Sequence, residues 1–305
     1  MRLTDEHLKQ LHEDGYVVVE DFMTPEELTA VEGDLHRHFP TWSQLREQPD
    51  RWPELNRTGD GVAELPFKGS ALNHMSTQPE LIEFARRFLD EPRVFLTQSI
   101  CWAKYAGRDD FEQSLHLDWH DNSLVMPPSG GAYGQLHMIL YYSDATPGLA
   151  PTAVVRQADS ADRPLVPWAR RKHVDPRLYE LERPIHVRAG ALLCFSARTF
   201  HRCTGFTAKE GARFSHHLAW RGAGHEWMSW RGWAQYADQL NMSRWLPNTT
   251  VEQRSVLGFP PPGHPYWTEE TLTLVGARYP RMDMAPYRAA FETGAGPAAD
   301  PGSHC

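Results

Sequence analysis

Between residues 93 and 221 the chain is a succession of short runs rich in β-branched and aromatic residues: "VFLTQSICWAKY", "SLHLDWH", "GQLHMILYYSD", "PTAVV", "RPIHVRAG", "ALLCFSA" and "RFSHHLAWR". Several are separated by Gly, Pro or Asp turns. Strands this short, punctuated this way, favour a sandwich or barrel with helices packed outside. The runs do not alternate with helical patterns, and no glycine-rich phosphate loop is present, which argues against a nucleotide-binding fold. The segment before them reads as helix, strand, helix. Thr4 caps a helix carrying Leu8 and Leu11 that Gly15 ends, and "YVVVE" (16–20) is a strand. "TPEEL" then supplies Thr24 as cap, Pro25 at the first helical position and Glu27 to complete a capping box, opening a helix to about His38. A further helix starts at Pro79, with Leu81, Ile82, Ala85 and Leu89 as its apolar stripe.

The rest of the chain bounds the partners and the compartment. A net charge of −8 argues against a nucleic-acid or anionic-membrane partner. The N-terminal residues are charged where a signal peptide needs an apolar run, and no stretch approaches the length of a membrane span. Cys101, Cys194, Cys203 and Cys305 form no CxxC pair, and the first two sit in apolar runs as small core side chains. Together these features predict a cytoplasmic protein. Trp227, Trp230 and Trp233 recur at helical spacing, a pattern of core packing, and "GFPPPGHPYW" (258–267) must be extended or turn-like. Nothing divides the chain, so residues 1–290 are expected to form one domain, followed by a disordered tail over 291–305.

Two histidines and a carboxylate fall within five positions in "HLDWH" (116–120). As a helix, His116 and His120 share a face, the spacing of a zinc hydrolase, but the Glu such a site needs after the first His is here Leu117. As a strand, Leu115, Leu117 and Trp119 alternate with the polar residues, and His116 and Asp118 point to one side. Alternate strand residues lie about 6.8 Å apart, close enough to converge on one ion, whereas His120 starts roughly 13 Å from His116. The H-x-D pattern alone is weak, since the chain also has "HED" (12–14) and "HVD" (173–175). Both of those sit in turn or polar contexts and read as surface.

A third ligand therefore has to come from elsewhere, and His201, closing the run "LLCFSARTFH", is the best candidate. Twelve residues later Arg213 opens the next strand, which a hairpin would return beside that run. An arginine beside a two-His, one-carboxylate iron site has a definite task, the bidentate capture of a dicarboxylate.

With these residues in place the chain resembles the phytanoyl-CoA dioxygenase family of Fe(II)- and 2-oxoglutarate-dependent oxygenases. "LTDEHLKQLHEDGYVVVEDFMTPEELTAV" is similar to the family's N-terminal helix–strand–helix, and "HLDWH" to its metal segment. "AGALLCFSARTFH" followed by Arg213 resembles its distal-histidine strand and cosubstrate arginine, and "SDATPGLAPTAVV" the link between the barrel halves. The C-terminal "GFPPPGHPYW…RYPRMDMAPYR" is similar to bacterial members of natural-product biosynthesis.

The resemblance implies a mainly β protein with flanking helices, built on a double-stranded β-helix, the cupin-like jelly roll. It implies iron bound by His116, Asp118 and His201, and the distal carboxylate of 2-oxoglutarate bound by Arg213. Gln98 occupies a position that in relatives faces cosubstrate or substrate. Two departures stand out. Where relatives continue past "PTAVV" with Pro-Gly-Ser-His, this chain has "RQAD" (156–159). Where they often carry a hydroxyl two places after the distal histidine, it has Cys203, which leaves Arg213 or Ser215 to hold the cosubstrate.

Three protein ligands leave three octahedral positions for 2-oxoglutarate and O₂. The expected activity is hydroxylation of a small natural product or metabolite, with release of succinate and CO₂. Related halogenases replace the carboxylate by a small residue, and Asp118 argues against that outcome. The rival readings are a jelly roll that binds a small molecule without turnover and a zinc-dependent hydrolase.

Overall fold

The computed structural model describes residues 2–52, 55, 61–108, 111–123, 125, 126, 133–225, 233–237 and 239–294. Trp227, Trp230, Cys305 and the tail beyond residue 294 lie outside these, as does the side chain of His120. Eleven strands are described: β1 (Tyr16–Val19), β2 (Gly61–Glu64), β3 (Val94–Tyr105), β4 (Leu115–His116), β5 (Gln135–Tyr141), β6 (Thr152–Val154), β7 (Ala169–Arg170), β8 (Arg183–Pro184), β9 (Leu192–Ser196), β10 (His201–Cys203) and β11 (Ala212–Gly222). They form a six-stranded sheet in the order β1-β9-β5-β11-β3-β2 and a five-stranded sheet in the order β7-β4-β10-β6-β8. Every pairing is antiparallel. This is the jelly roll with flanking helices that the family resemblance implies.

The larger sheet is apolar on both faces, for different reasons. Its outer face carries Leu96, Met138, Leu218 and Trp220, which pack in one core with Leu11, Val31 and Leu35 of the N-terminal helices and with Ile82 and Phe88 of the helix Pro79–Leu89. That core continues to Tyr287 in the helix Ala285–Glu292. The inner face carries Ile139, Tyr141, Leu193 and Phe195, which meet Val154, Ile185 and Val187 from the side of the smaller sheet. Residues one apart on a strand face opposite layers, so a continuous apolar run serves both. Among the described residues no helix is long and apolar enough to cross a membrane.

The helix starts follow local chemistry. Thr4, Thr24 and Thr41 each accept the third helical N–H in a capping box, and Pro25 sits in the first turn of the second helix. Gly15 ends the first helix at φ 79°, a conformation favouring glycine. The second helix stops at Leu35, short of the expected His38.

Two strand expectations are corrected. The run "ALLCFSARTFH" is two strands in different sheets, broken at the turn where Thr199 N–H donates to the Ser196 carbonyl. Arg213's strand does not return beside that run either: β11 lies between β3 and β5 in the larger sheet. The "RQAD" departure forms part of a short 3-10 turn, Gln157–Ser160. The Gln157 amide there bonds the Ser196 hydroxyl and, at 3.3 Å, that of Thr199. The Thr199 hydroxyl in turn donates to the Gly15 carbonyl at 2.6 Å.

Behind β11 a buried polar chain ties the sheet to its helices. His216 is fully buried, with Nε2 at 2.9 Å from the Ser99 hydroxyl and Nδ1 at 2.7 Å from that of Tyr142. Ser99 continues the chain to Ser76 at 2.9 Å. Burial pushes the His216 imidazole down to about 3, so it is neutral in the fold. Between that value and the ordinary 6.5 the unfolded chain binds the extra proton. This stabilisation is therefore intact above pH 6.5 and declines as pH falls toward 3, by up to about 1.4 kcal/mol per pH unit. Urea unfolding between pH 7.5 and 5 should show a shallower pH slope in His216→Gln than in the wild type. Equal slopes would place the acid sensitivity elsewhere.

Candidate metal centre

The smaller sheet pairs β10 with β4 so that His201 and His116 are direct cross-strand partners, with ring centroids 4.4 Å apart. Each ring is oriented by its own main chain: His116 Nδ1 lies 2.9 Å from the Ser114 carbonyl and His201 Nδ1 lies 3.0 Å from the Thr199 carbonyl. A carbonyl can only accept, so both Nδ1 atoms carry a proton and Nε2 is the atom each ring has left to bind a metal. Both Nε2 atoms face the Asp118 carboxylate at 3.4 Å.

Asp118 reaches this point by a change of conformation. The alternation in "HLDWH" predicts a strand through His120, but the strand ends at His116. Leu117 N–H still donates to the Trp168 carbonyl at 3.0 Å, and Asp118, at φ −78° and ψ −3°, begins a short helix over Trp119–Asn122. Neither a pure strand nor a pure helix describes the segment. The turn brings the carboxylate back over the two rings, so one ligand atom from each of His116, Asp118 and His201 lies within 4.8 Å of the others.

Three acceptors converging on one point need a cation between them. Burial alone would raise the Asp118 carboxyl, but His201, His116 and His137 hold it well below the usual carboxylate range. Burial would likewise lower His201, yet Asp118 and the Thr199 carbonyl keep it above its ordinary value. The donor set, two imidazole nitrogens and one carboxylate, fits a divalent transition metal with positions left open. His137 on β5 adds support from the larger sheet: its Nδ1 lies 3.4 Å from Asp118 Oδ2, and its ring stacks on Phe195. Such a partner to a ligating carboxylate helps to fix its orientation.

The three side chains open into a cavity of about 700 Å³ that also contains Arg213 and Gln98. Arg213 is only 4% exposed. Its Nη1 donates to the Ala150 carbonyl at 2.5 Å and approaches Cys203 Sγ at 3.5 Å, while its Nε has no partner among the described residues. A buried guanidinium with no counter-ion among the described residues is costly, and an anion in the cavity would offset that cost. Ser215, expected near the cosubstrate, is not among the residues lining the cavity, and its hydroxyl bonds His217 Nε2 at 3.1 Å. Among the lining residues that escape the sequence reading are His137, Lys104 and Trp168. The first two sit inside apolar runs, and only strand parity relative to Gln98 or Arg213 could have marked them.

The family model of phytanoyl-CoA dioxygenase matches residues 11–210. No protein of curated function matches the sequence. Among solved structures, HygX from Streptomyces hygroscopicus, with nickel, 2-oxoglutarate and hygromycin B bound, has a TM-score of 0.55 at 15% identity, covering 73% of this chain and 88% of that one. EctD from S. alaskensis has a TM-score of 0.55 at 16% identity, over 76% and 83% of the two chains. SnoK, a non-heme alpha ketoglutarate dependent carbocyclase from nogalamycin biosynthesis, has a TM-score of 0.52 at 16% identity, over 72% and 85%. At these identities the structural likeness establishes the fold. The sequence match runs from the first helix past the strand of His201 and ends shortly before Arg213, and on that span the chain belongs to the phytanoyl-CoA dioxygenase family.

Proposed function

We propose that this chain is an Fe(II)- and 2-oxoglutarate-dependent dioxygenase that hydroxylates a small-molecule substrate, releasing succinate and CO₂. The observation that carries this reading is the sharing of one cavity by a convergent His–Asp–His set and a buried arginine with an open donor. His116, Asp118 and His201 would hold the iron, and Arg213 the distal carboxylate of the cosubstrate. Iron with 2-oxoglutarate and O₂ supplies the oxidising power for removing a substrate hydrogen and delivering a hydroxyl group.

The protein's own part is orientation. The Ser114 and Thr199 carbonyls keep both imidazoles in the ligating tautomer, and His137 steadies the carboxylate. Asp118 fills the position a halide would need, which favours hydroxylation over halogenation. The cavity volume suits a drug-sized molecule. Trp168, edge-on to His116 with centroids 6.2 Å apart, offers an aromatic wall beside the metal centre. HygX is named with hygromycin B bound, and the epimerase SnoN with nogalamycin RO. A natural product or related metabolite is therefore the substrate class we favour, handled by residues 1–290 as one domain in the cytoplasm. A nucleic-acid or membrane partner has no support in a chain of net charge −8.

Protein loaded anaerobically with Fe(II) and 2-oxoglutarate should show the weak visible charge-transfer band of the chelate. His116→Ala or His201→Ala should abolish it; a silent His201 variant would refute the ligand assignment. Arg213→Ala removes the partner of a buried carboxylate, a loss of ~3–5 kcal/mol. The 2-oxoglutarate requirement should then rise by two or more orders of magnitude, with Fe(II) affinity nearly intact. A third measurement is O₂ consumption coupled to succinate release across a natural-product panel, compared between wild type and Asp118→Gly. No succinate from the wild type above a metal-free control would remove the enzyme reading.

A further inference from the structure

A second cavity, of about 560 Å³, shares no lining residue with that of the metal centre. Three exposed cations line it: Arg37, Lys68 and Arg244. They come from the turn after the helix Pro25–Leu35, the loop after β2, and the helix Leu240–Trp245. That last helix lies beyond the family match, so the cavity exists only where the C-terminal part of the chain packs on the rest. A lone exposed cation means little, since water solvates it. Three in one cavity are unusual in a chain of net charge −8, where other arginines pair with acids, as Arg156 does with Asp159 and Arg202 with Glu182.

No carboxylate lines this cavity among the described residues. Asp34 lies behind it, 3.7 Å from Arg37 Nε, but its other oxygen accepts the Ala71 N–H at 2.6 Å. Lys68 and Arg244 form no ion pair among the described residues. The loop that carries Lys68 is also pinned. Buried Asn73 accepts the Phe67 N–H at 2.7 Å and donates to the Phe67 and Gly69 carbonyls at 3.0 and 2.6 Å. Gly69 sits at φ 108°, where an added methyl would overlap the Asp34 carboxylate. Asn241 donates to the Pro66 carbonyl at 3.2 Å and so docks the C-terminal helix on the same loop. His38, whose Nε2 accepts the Lys68 N–H at 3.0 Å, feels the charges gathered here. Burial, and then Lys68 and Arg37, hold its imidazole below the ordinary value against the pull of Asp34.

The deeper walls are aromatic: Phe67 is fully buried and Trp245 is 2% exposed. Ser70, at the exposed edge, caps no helix N–H with its hydroxyl. A rim of cations over an aromatic floor suits an anion carried on a flat body, and the volume exceeds what a bare anion fills. A phosphate monoester brings about −1.5 to −2 charge near pH 7 and three acceptor oxygens, a match for three cationic donors that a carboxylate lacks. We propose that this cavity binds a phosphate monoester with an aromatic body, the phosphate held by Arg37, Lys68 and Arg244 and the body resting on Phe67 and Trp245. The site stands apart from the metal centre, and its occupant bridges the C-terminal helix to the β2 loop and the turn at Arg37.

The test uses phenyl phosphate, which carries both parts, against inorganic phosphate, benzoate and phenol. Each is titrated into the full-length protein at constant ionic strength in chloride buffer and followed by calorimetry and melting curves. Phenyl phosphate should bind saturably, raise Tm and bind more tightly than the other three. Arg244→Gln and Lys68→Gln should each weaken it by about ten-fold or more, and Arg244→Lys should retain most of the affinity. Both side chains are exposed, so these variants should fold, which their melting curves check. Arg213→Ala, in the other cavity, should leave phenyl phosphate binding unchanged.

Undiminished affinity in both Arg244→Gln and Lys68→Gln overturns the site. So does a loss in Arg213→Ala, which would put the ligand beside the metal centre instead. Benzoate binding as tightly as phenyl phosphate overturns the choice of a phosphate, and inorganic phosphate doing so overturns the role of the aromatic floor. Absence of saturable binding in the wild type overturns the proposal outright and leaves the reading of the metal centre untouched.

Discussion

The cross-strand pairing of His201 with His116 is the contact on which the rest of the site depends. It joins residues far apart in sequence and needs no side-chain specificity of its own, because ladder hydrogen bonds set the register. β4 is only two residues long and would be marginal alone. It is held between β7 on one side and β10 on the other, and the apolar cluster of Leu115, Leu117, Val155, Leu178 and Phe200 anchors it. The larger sheet then acts as a floor. Its long β3–β11 ladder carries Gln98, Lys104 and Arg213, and β5 brings His137 to the carboxylate.

The cavity so formed has two electrostatic ends. At one, two imidazole nitrogens and a carboxylate suit a cation; at the other, the Arg213 guanidinium and the Lys104 ammonium suit an anion. Neither end is balanced by the protein among the described residues that line it. A ligand that chelates a metal through one terminus and presents a carboxylate at the other satisfies both at once. This complementarity supports the cosubstrate reading independently of family membership.

Much of the site was legible in the sequence because local rules governed it. The caps at Thr4 and Thr24, the Gly15 stop, and the strand-like alternation up to Leu117 depend on neighbours in the chain. The break between β9 and β10 was not legible, since the turn at Thr199 is fixed by Gly15 and Gln157, both distant in sequence. Arg213 was expected to be functional on a mistaken picture of its neighbours. Its approach to Cys203 comes from two sheets facing each other, not from a hairpin. Lys104 and His137 were hidden because the inward face of a jelly-roll strand is both core and cavity wall. Alternation gives the face but not which part of the interior a side chain meets.

The bonds around Thr199 carry a practical consequence. The carbonyl that orients His201 belongs to a residue whose hydroxyl is tied to the last turn of the N-terminal helix through Gly15 and braced by Gln157. There is no slack in that junction: a methyl group at Gly15 would come within 2.3 Å of the Gln157 side chain. The opening helix is thus a buttress for the distal histidine, although it lies outside the β-sandwich. Anyone shortening this protein to a minimal catalytic barrel, or grafting its barrel onto another N-terminus, would be cutting into the metal site's own suspension.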